Sequence, residues 1–335
     1  MSIVETLTNQ GLSRALLLIA FTAVPSCLPA QTGVVGAPYS SYLFDMGRSS
    51  IRPLIGLAGS SFLGDPLLTG LQFASVAPNG ITAVAVWPDR VEWVSDLGKY
   101  PDSSSVIGGS LANPNQIFWD RNSSAAVFLS STERQVQFVH RGEGSFSVSS
   151  LGLPDSCTGR VKALAADAAN TIAAVLCTPD QDAGGTQNLF LIQPNTGPAL
   201  VQTPSTPVSA AFALNGFFYL AGADSTISVI RNPASNSTAE FLFVENDVLN
   251  GAAALMVQST EQLLYSADSS QRRVRVYDLN TFQKVDDLDI GWQPTQFQPF
   301  LSNSFLMNTG GSSSEPRLLL RTAPQRLVLF VPAGN

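Results

Sequence analysis

The chain has 335 residues, is 44% hydrophobic and only 13% charged, and carries a formal net charge of −7. This composition is too apolar for an intrinsically disordered chain and too often interrupted by polar residues for a bundle of membrane helices. Surfaces that bind phosphate need clustered Lys and Arg, and the longest basic run is Arg272-Arg273. The sequence therefore disfavours nucleic acid and an anionic membrane surface as partners.

The first thirty residues have the pattern of an export signal. Arg14 precedes an apolar run at residues 15–24, Pro25 follows it, and small residues lead to Ala30. We predict cleavage after Ala30, so that residues 1–30 are a signal peptide and residues 31–335 form one mature domain. Two alternatives remain: a buried N-terminal helix, and lipidation at Cys27, because Val-Pro-Ser-Cys at residues 24–27 resembles a bacterial lipobox.

A repeat of paired apolar strands around a polar turn runs through the rest of the chain. The six turns are centred at positions 79, 122, 170, 215, 260 and 303, and neighbouring turns are 43–48 residues apart. Two further short strands of alternating or β-branched character follow each pair. Four short strands per repeat of this length predict an all-β fold, a β-propeller of four-stranded antiparallel blades.

Residues 32–70 hold an incomplete repeat. The segments YLFDM from Tyr42 and SIRPLIG from Ser50 are similar to the third and fourth strands of a blade. We therefore predict seven radial positions, of which the first is incomplete and could be completed by C-terminal residues. A six-bladed ring with an extra N-terminal hairpin is the alternative.

Cleavage after Ala30 leaves two cysteines, Cys157 and Cys177. An even number in an exported protein favours a disulfide, and two buried free thiols are the alternative. In a regular hairpin turning near Asn170, Cys177 lies opposite Val161, so a disulfide requires the segment around Cys157 to fold back.

One stretch resembles a known family. In RVRVYDLNTFQKVDDLDIGWQPTQFQPF, from Arg273 to Phe300, the V-x-V-Y-D-x-x-T strand and the I-G-x-x-P segment at Ile290 are similar to the repeat of YVTN-type bacterial surface propellers. This resemblance implies a propeller fold and a bacterial cell-surface or periplasmic location. It implies no particular activity, since a fold hosts many functions.

Candidate catalytic or metal-binding residues are isolated from one another in the sequence. The single histidine, His140, ends a strand without a neighbouring partner in sequence, and the motifs of common hydrolases and nucleotide-binding proteins are absent. Asp180 and Asp182 lie beside two glycines, and Asp286, Asp287 and Asp289 form a second acidic group. Neither has the oxygen-ligand pattern of an EF-hand, so we predict no catalytic, cofactor-binding or metal-binding residues and no cofactor.

Trp292 is the candidate aromatic of a ligand-binding face. It lies in the segment that leads from one repeat to the next, where an exposed indole could stack a sugar or peptide. The alternative is that Trp292 fills the central channel. Trp93 and Trp119 lie within strands and are expected to be core residues between blades.

These features favour an exported, non-catalytic propeller that acts as a binding or scaffolding module in the bacterial periplasm or at the cell surface. Its partner would be a protein or a glycan. The alternative is a propeller enzyme of the lactonase or hydrolase kind, which needs polar side chains converging from the inner strands on the mouth of the channel.

Overall fold

A computed structural model describes residues 39–332 except 57–60, 112, 180–186, 246–250, 259–260, 302, 309–316 and 323–324. The predicted signal peptide, the cleavage position at Ala30 and Cys27 lie outside the described residues, as do Asp180 and Asp182. The chain divides into two units, Met1–Gly36 and Ala37–Asn335, and all described strands belong to the second.

The described strands form seven antiparallel sheets that are arranged radially as the blades of a β-propeller. Six sheets have four strands and the first has three, and every sheet is made of strands that are consecutive in the chain. The prediction of seven radial positions with an incomplete first blade is thus confirmed, and the six-bladed alternative is wrong. The helices of the described residues are two short 3-10 turns, Met46–Arg48 and Leu97–Lys99.

The first four blades occupy residues up to 200. The first contains β1 (Tyr39–Asp45), β2 (Ser50–Ile55) and β3 (Phe62–Leu63), and the second β4 (Phe73–Val76), β5 (Ala83–Val86), β6 (Val91–Val94) and β7 (Ser104–Val106). The third contains β8 (Gln116–Trp119), β9 (Ala125–Ser130), β10 (Gln135–Arg141) and β11 (Phe146–Gly152). The fourth contains β12 (Arg160–Ala166), β13 (Ala173–Thr178), β14 (Asn188–Gln193) and β15 (Gly197–Leu200).

The last three blades follow the same order. The fifth contains β16 (Pro207–Phe212), β17 (Phe218–Gly222), β18 (Thr226–Ile230) and β19 (Glu240–Val244). The sixth contains β20 (Ala254–Gln258), β21 (Leu263–Asp268), β22 (Arg273–Asp278) and β23 (Lys284–Asp289), and the seventh β24 (Gln298–Pro299), β25 (Ser304–Leu306), β26 (Arg317–Arg321) and β27 (Leu327–Val331).

The turns between first and second strands lie where the repeat places them. Each of the six four-stranded blades has one residue of positive φ in this turn, within two positions of the predicted centre: Gly80, Ser123, Asn170, Gly216, Gln262 and Leu301. A residue in the left-handed backbone conformation lets the chain reverse its direction within a few residues. The turns are therefore set by local backbone geometry, although only two of these residues are glycines.

The three strands of the first blade correspond to the second, third and fourth strands of the other blades. We predicted that the segments of β1 and β2 were third and fourth strands, so each lies one position further inward than expected. Between β1 and β2, Ser49 has φ 48°, and its carbonyl accepts a hydrogen bond from Leu71 N, the residue after the outer segment of the blade. The same bond closes the turn between second and third strands in three other blades: Leu153 N to Arg134 O, Glu245 N to Ser225 O and Ile290 N to Arg272 O. Among the described residues, the first blade therefore has no strand inward of β1.

Apolar side chains fill the seams between neighbouring blades. Between the second and third blades, Trp93 is fully buried and meets Trp119 edge-to-face at a centroid distance of 4.8 Å. Such a pair stabilises the fold by about 0.5–1.5 kcal/mol beyond its area burial. The prediction that Trp93 and Trp119 belong to the core between blades is confirmed.

The ring closes through side-chain packing between the first and last blades. Leu43, Leu54 and Leu63 of the first blade form one apolar cluster with residues of the seventh, among them Leu319 and Val331. The last strand, β27, pairs with β26 in the seventh sheet. The C-terminal strand thus completes its own blade, which corrects the expectation that it could complete the first.

Candidate functional site

Trp292 lies at the surface in the segment between β23 and β24, where its side chain is 46% exposed. The preceding Gly291 has φ 72°, its N–H donates to Asp289 Oδ1 (3.1 Å), and its carbonyl accepts from Arg272 Nη1 (3.4 Å). A positive φ suits glycine, which lacks a Cβ. These bonds fix the main chain immediately before Trp292.

The indole of Trp292 meets the ring of Phe330 at a centroid distance of 5.5 Å and an angle of 61°. Phe330 lies on the outermost strand of the seventh blade and is itself 43% exposed. Trp292 therefore lies against an outer strand, which corrects the alternative in which it fills the central channel. Arg272, Trp292 and Phe330 together are called the Trp292 surface below.

The Trp292 surface combines two exposed aromatic rings with one exposed guanidinium group. An aromatic pair in edge-to-face contact leaves faces free that can stack on the C–H groups of a sugar or on an apolar peptide side chain. The surface joins the sixth and seventh blades, so its geometry depends on the seam between them.

In the acidic group of the sixth blade, Asp286 and Asp287 form ion pairs, whereas Asp289 accepts a hydrogen bond from Gly291 N. Asp286 Oδ2 lies 3.1 Å from Arg326 Nη1, and Asp287 Oδ2 lies 3.3 Å from Arg273 Nη1 and 3.2 Å from Lys284 Nζ. Within the described ranges, no group of three or more His, Cys, Asp or Glu side chains is placed to hold a metal ion. His140 is exposed at the end of β10 and makes no ion pair with a described residue.

Cys157 and Cys177 are joined by a disulfide, with their Cα atoms 5.1 Å apart. Cys177 lies opposite Val161 in the hairpin of β12 and β13, as the register argument predicts. Cys157 reaches it from the segment between the third and fourth blades, where Cys157 N donates to Pro154 O. The disulfide ties that connecting segment to the second strand of the fourth blade.

Two buried ion pairs were not predicted from the sequence. Arg52 Nη1 lies 3.1 Å from Asp45 Oδ2, and its other nitrogens donate to the carbonyls of Gly64 and Leu63. Arg275 Nη1 lies 2.9 Å from Asp268 Oδ2. Both pairs join an Asp at the end of one strand to an Arg seven residues later on the next, and this spacing was the available signal.

Glu245 lies beside the second of these pairs, in the segment between the fifth and sixth blades, and is 2% exposed. Burial raises the pKa of the Glu245 carboxyl to about 7, and the Ser266 hydroxyl and the positive charge of Arg275 offset only part of this increase. The carboxylate of Asp268 acts in the same direction as burial. Glu245 therefore titrates near neutral pH inside the protein.

Among the described residues, no helix has the length and apolar character needed to cross a membrane. No family model matches the chain, and no curated protein matches it.

Solved structures do resemble this chain. One is a functionally unknown protein from Desulfotomaculum acetoxidans DSM 771, with a TM-score of 0.57 and 12% identity over 88% of this chain and 97% of that chain. Another is a chain in the crystal structure of a mitotic checkpoint complex, with a TM-score of 0.53 and 12% identity over 83% of this chain and 84% of that chain. At this identity the likeness shows the propeller fold alone.

Proposed function

We propose that this propeller is an exported, non-catalytic binding module of the bacterial periplasm or cell surface, and that the Trp292 surface contacts its ligand. The observation that carries the proposal is the exposed Trp292–Phe330 pair at the seam of two blades. Exposed aromatic side chains that are held in place lose little entropy on binding, and tryptophan is enriched among the residues that dominate binding energies.

Export is supported by the signal-peptide pattern of residues 1–30 and by the Cys157–Cys177 disulfide. Disulfides persist in oxidising compartments and are rare in the cytosol of mesophiles. The bacterial location and a relationship to YVTN-type propellers rest on the repeat at residues 273–300. The partner class proposed here is a glycan or a protein of the cell envelope.

The experiment compares binding by the wild type with binding by Trp292→Ala and Phe330→Ala on an array of bacterial envelope glycans and purified envelope proteins. Phe62→Ala is the control, because Phe62 is an outer-strand phenylalanine of the first blade with 52% exposure. Loss of a central aromatic contact costs about 2 kcal/mol, so we expect affinity to fall roughly 30-fold in Trp292→Ala and to be unchanged in Phe62→Ala.

Two results would contradict the proposal. Equal affinities of wild type and Trp292→Ala for every ligand found would remove the Trp292 surface from the binding site. Time-dependent conversion of a bound ligand or of a lactone substrate would favour the enzyme alternative. Because Trp292 and Phe330 are half exposed, both variants should unfold within about 1 kcal/mol of the wild type, which separates lost binding from lost folding.

A further inference from the structure

A groove of about 350 Å³ lies at the outer rim between the second and third blades. Ser105, Val106 and Gly108 line one side, and Arg141, Ser145 and Phe146 line the other. These residues belong to different blades from those of the Trp292 surface. The six residues define the rim groove.

Unequal strand lengths account for the rim groove. The outer strand of the second blade, β7, has three residues, whereas β10 and β11 of the third blade have seven each. The short strand leaves the end of the longer hairpin uncovered. That end is closed by a hydrogen bond from Gly142 N to Ser145 O (2.8 Å), which fixes the wall that carries Arg141.

Arg141 supplies a positive charge that has no ionic partner among the described residues. Two arginines of the third strand of the sixth blade differ in this respect, since Arg273 and Arg275 each pair with an aspartate. Glu143 is exposed in the same turn but does not line the groove. A ligand that enters the groove therefore meets a guanidinium group whose donors are available for a carboxylate.

The remaining walls suit a hydrophilic ligand with one apolar face. A Cβ atom built on Gly108 or on Gly144, which also borders the groove, would meet nothing within 4 Å, so a ligand can approach the main chain there. The hydroxyls of Ser105 and Ser145 can both donate and accept hydrogen bonds. Val106, which is 58% exposed, and Phe146 provide apolar contact.

We propose that the rim groove binds an acidic sugar of monosaccharide size. Its carboxylate would pair with Arg141, which can donate two parallel hydrogen bonds to a carboxylate. Its hydroxyls would bond to Ser105 and Ser145, and its C–H face would pack on Val106 and Phe146. A volume near the lower limit of small-molecule sites excludes long chains as fully enclosed ligands.

The experiment titrates the full chain with sodium glucuronate and, separately, with glucose, and measures dissociation constants by ligand-observed NMR. We expect saturable binding of glucuronate that is at least about tenfold tighter than that of glucose, because only glucuronate has the carboxylate. Arg141→Ala should abolish this preference. Arg141→Lys should keep part of it, because lysine retains the charge and loses the two-pronged geometry.

Arg121→Ala is the matched control, since Arg121 is an exposed arginine of the same blade with no ion pair among the described residues. Trp292→Ala should bind glucuronate like the wild type, which separates this site from the Trp292 surface. Equal affinities for glucose and glucuronate, unchanged binding in Arg141→Ala, or no saturation by about 50 mM glucuronate would each overturn the proposal.

Discussion

Gln298 Nε2 donates a hydrogen bond of 3.3 Å to Ser75 Oγ, although the two residues are 223 positions apart in the chain. Gln298 lies on the first strand of the seventh blade and Ser75 on the first strand of the second blade. This bond spans the position of the first blade, which has no described strand inward of β1. The inner wall therefore closes directly between the second and seventh blades.

Replacing Ser75 by alanine should destabilise this closure. The Ser75 hydroxyl, which is buried, also accepts from Trp119 Nε1 at 3.0 Å, so the substitution leaves two donors without an acceptor. We expect the free energy of unfolding to fall by about 1–3 kcal/mol in urea denaturation. Ser147→Ala, on an exposed position of β11, should change it by less than about 0.5 kcal/mol. Equal effects of the two substitutions would contradict this role of Ser75.

The buried pair of Arg52 and Asp45 should be sensitive to loss of one partner. Arg52→Ala would leave the buried Asp45 carboxylate without this cation and would free the carbonyls of Gly64 and Leu63. Breaking a buried pair in this way costs about 3–5 kcal/mol, which thermal or urea unfolding would detect. Arg231→Ala is the comparison, because Arg231 and its partner Glu240 are both more than half exposed, and exposed pairs contribute at most about 1 kcal/mol. A loss below that value in Arg52→Ala would show that water reaches Asp45.

Glu245 should make stability depend on pH between its unfolded and folded pKa values. The pKa rises from 4.5 to about 7 on folding, so the folded state binds the proton more tightly. Stability therefore falls as pH rises from 4.5 to about 7 and is constant for this group above pH 7, a total change of roughly 3 kcal/mol. Glu245→Gln should lack this component, so the variant should become the more stable protein at pH 8. Parallel pH profiles of the two proteins would exclude a raised pKa for Glu245.

The disulfide should stabilise the fold by restricting the unfolded chain. Cys157 and Cys177 are 20 residues apart, and closing a loop of this length is worth about 3 kcal/mol in the chain-entropy model. We expect dithiothreitol to lower the unfolding midpoint of the wild type. The double variant Cys157→Ala/Cys177→Ala should unfold at the lower midpoint with or without reductant. A midpoint that reductant leaves unchanged in the wild type would indicate that this disulfide contributes no stability.

The repeat could be predicted from the sequence alone, because turns and strands depend mainly on residues that are close together in the chain. All six turns lie within two positions of their predicted centres, and Trp93 lies in the predicted core. Side-chain partners across the fold were harder to predict. Arg52 finds two of its acceptors at the end of the third strand of its sheet, in Leu63 and the following Gly64. Trp292 meets Phe330 on the next blade, 38 residues later. No local pattern specifies which side chain a neighbouring blade presents.

The consecutive order of strands within every sheet has a consequence for synthesis of the protein. Each blade can form its hydrogen bonds as soon as its own residues leave the ribosome, without waiting for a distant strand. Each seam can then form when the following blade is complete. The contacts that close the ring must wait for the end of the chain, namely the seam of Leu43, Leu54 and Leu63 with the seventh blade and the Gln298–Ser75 bond. Until then these leucines stay open to solvent, and the growing protein has its greatest need of chaperone protection at its first blade.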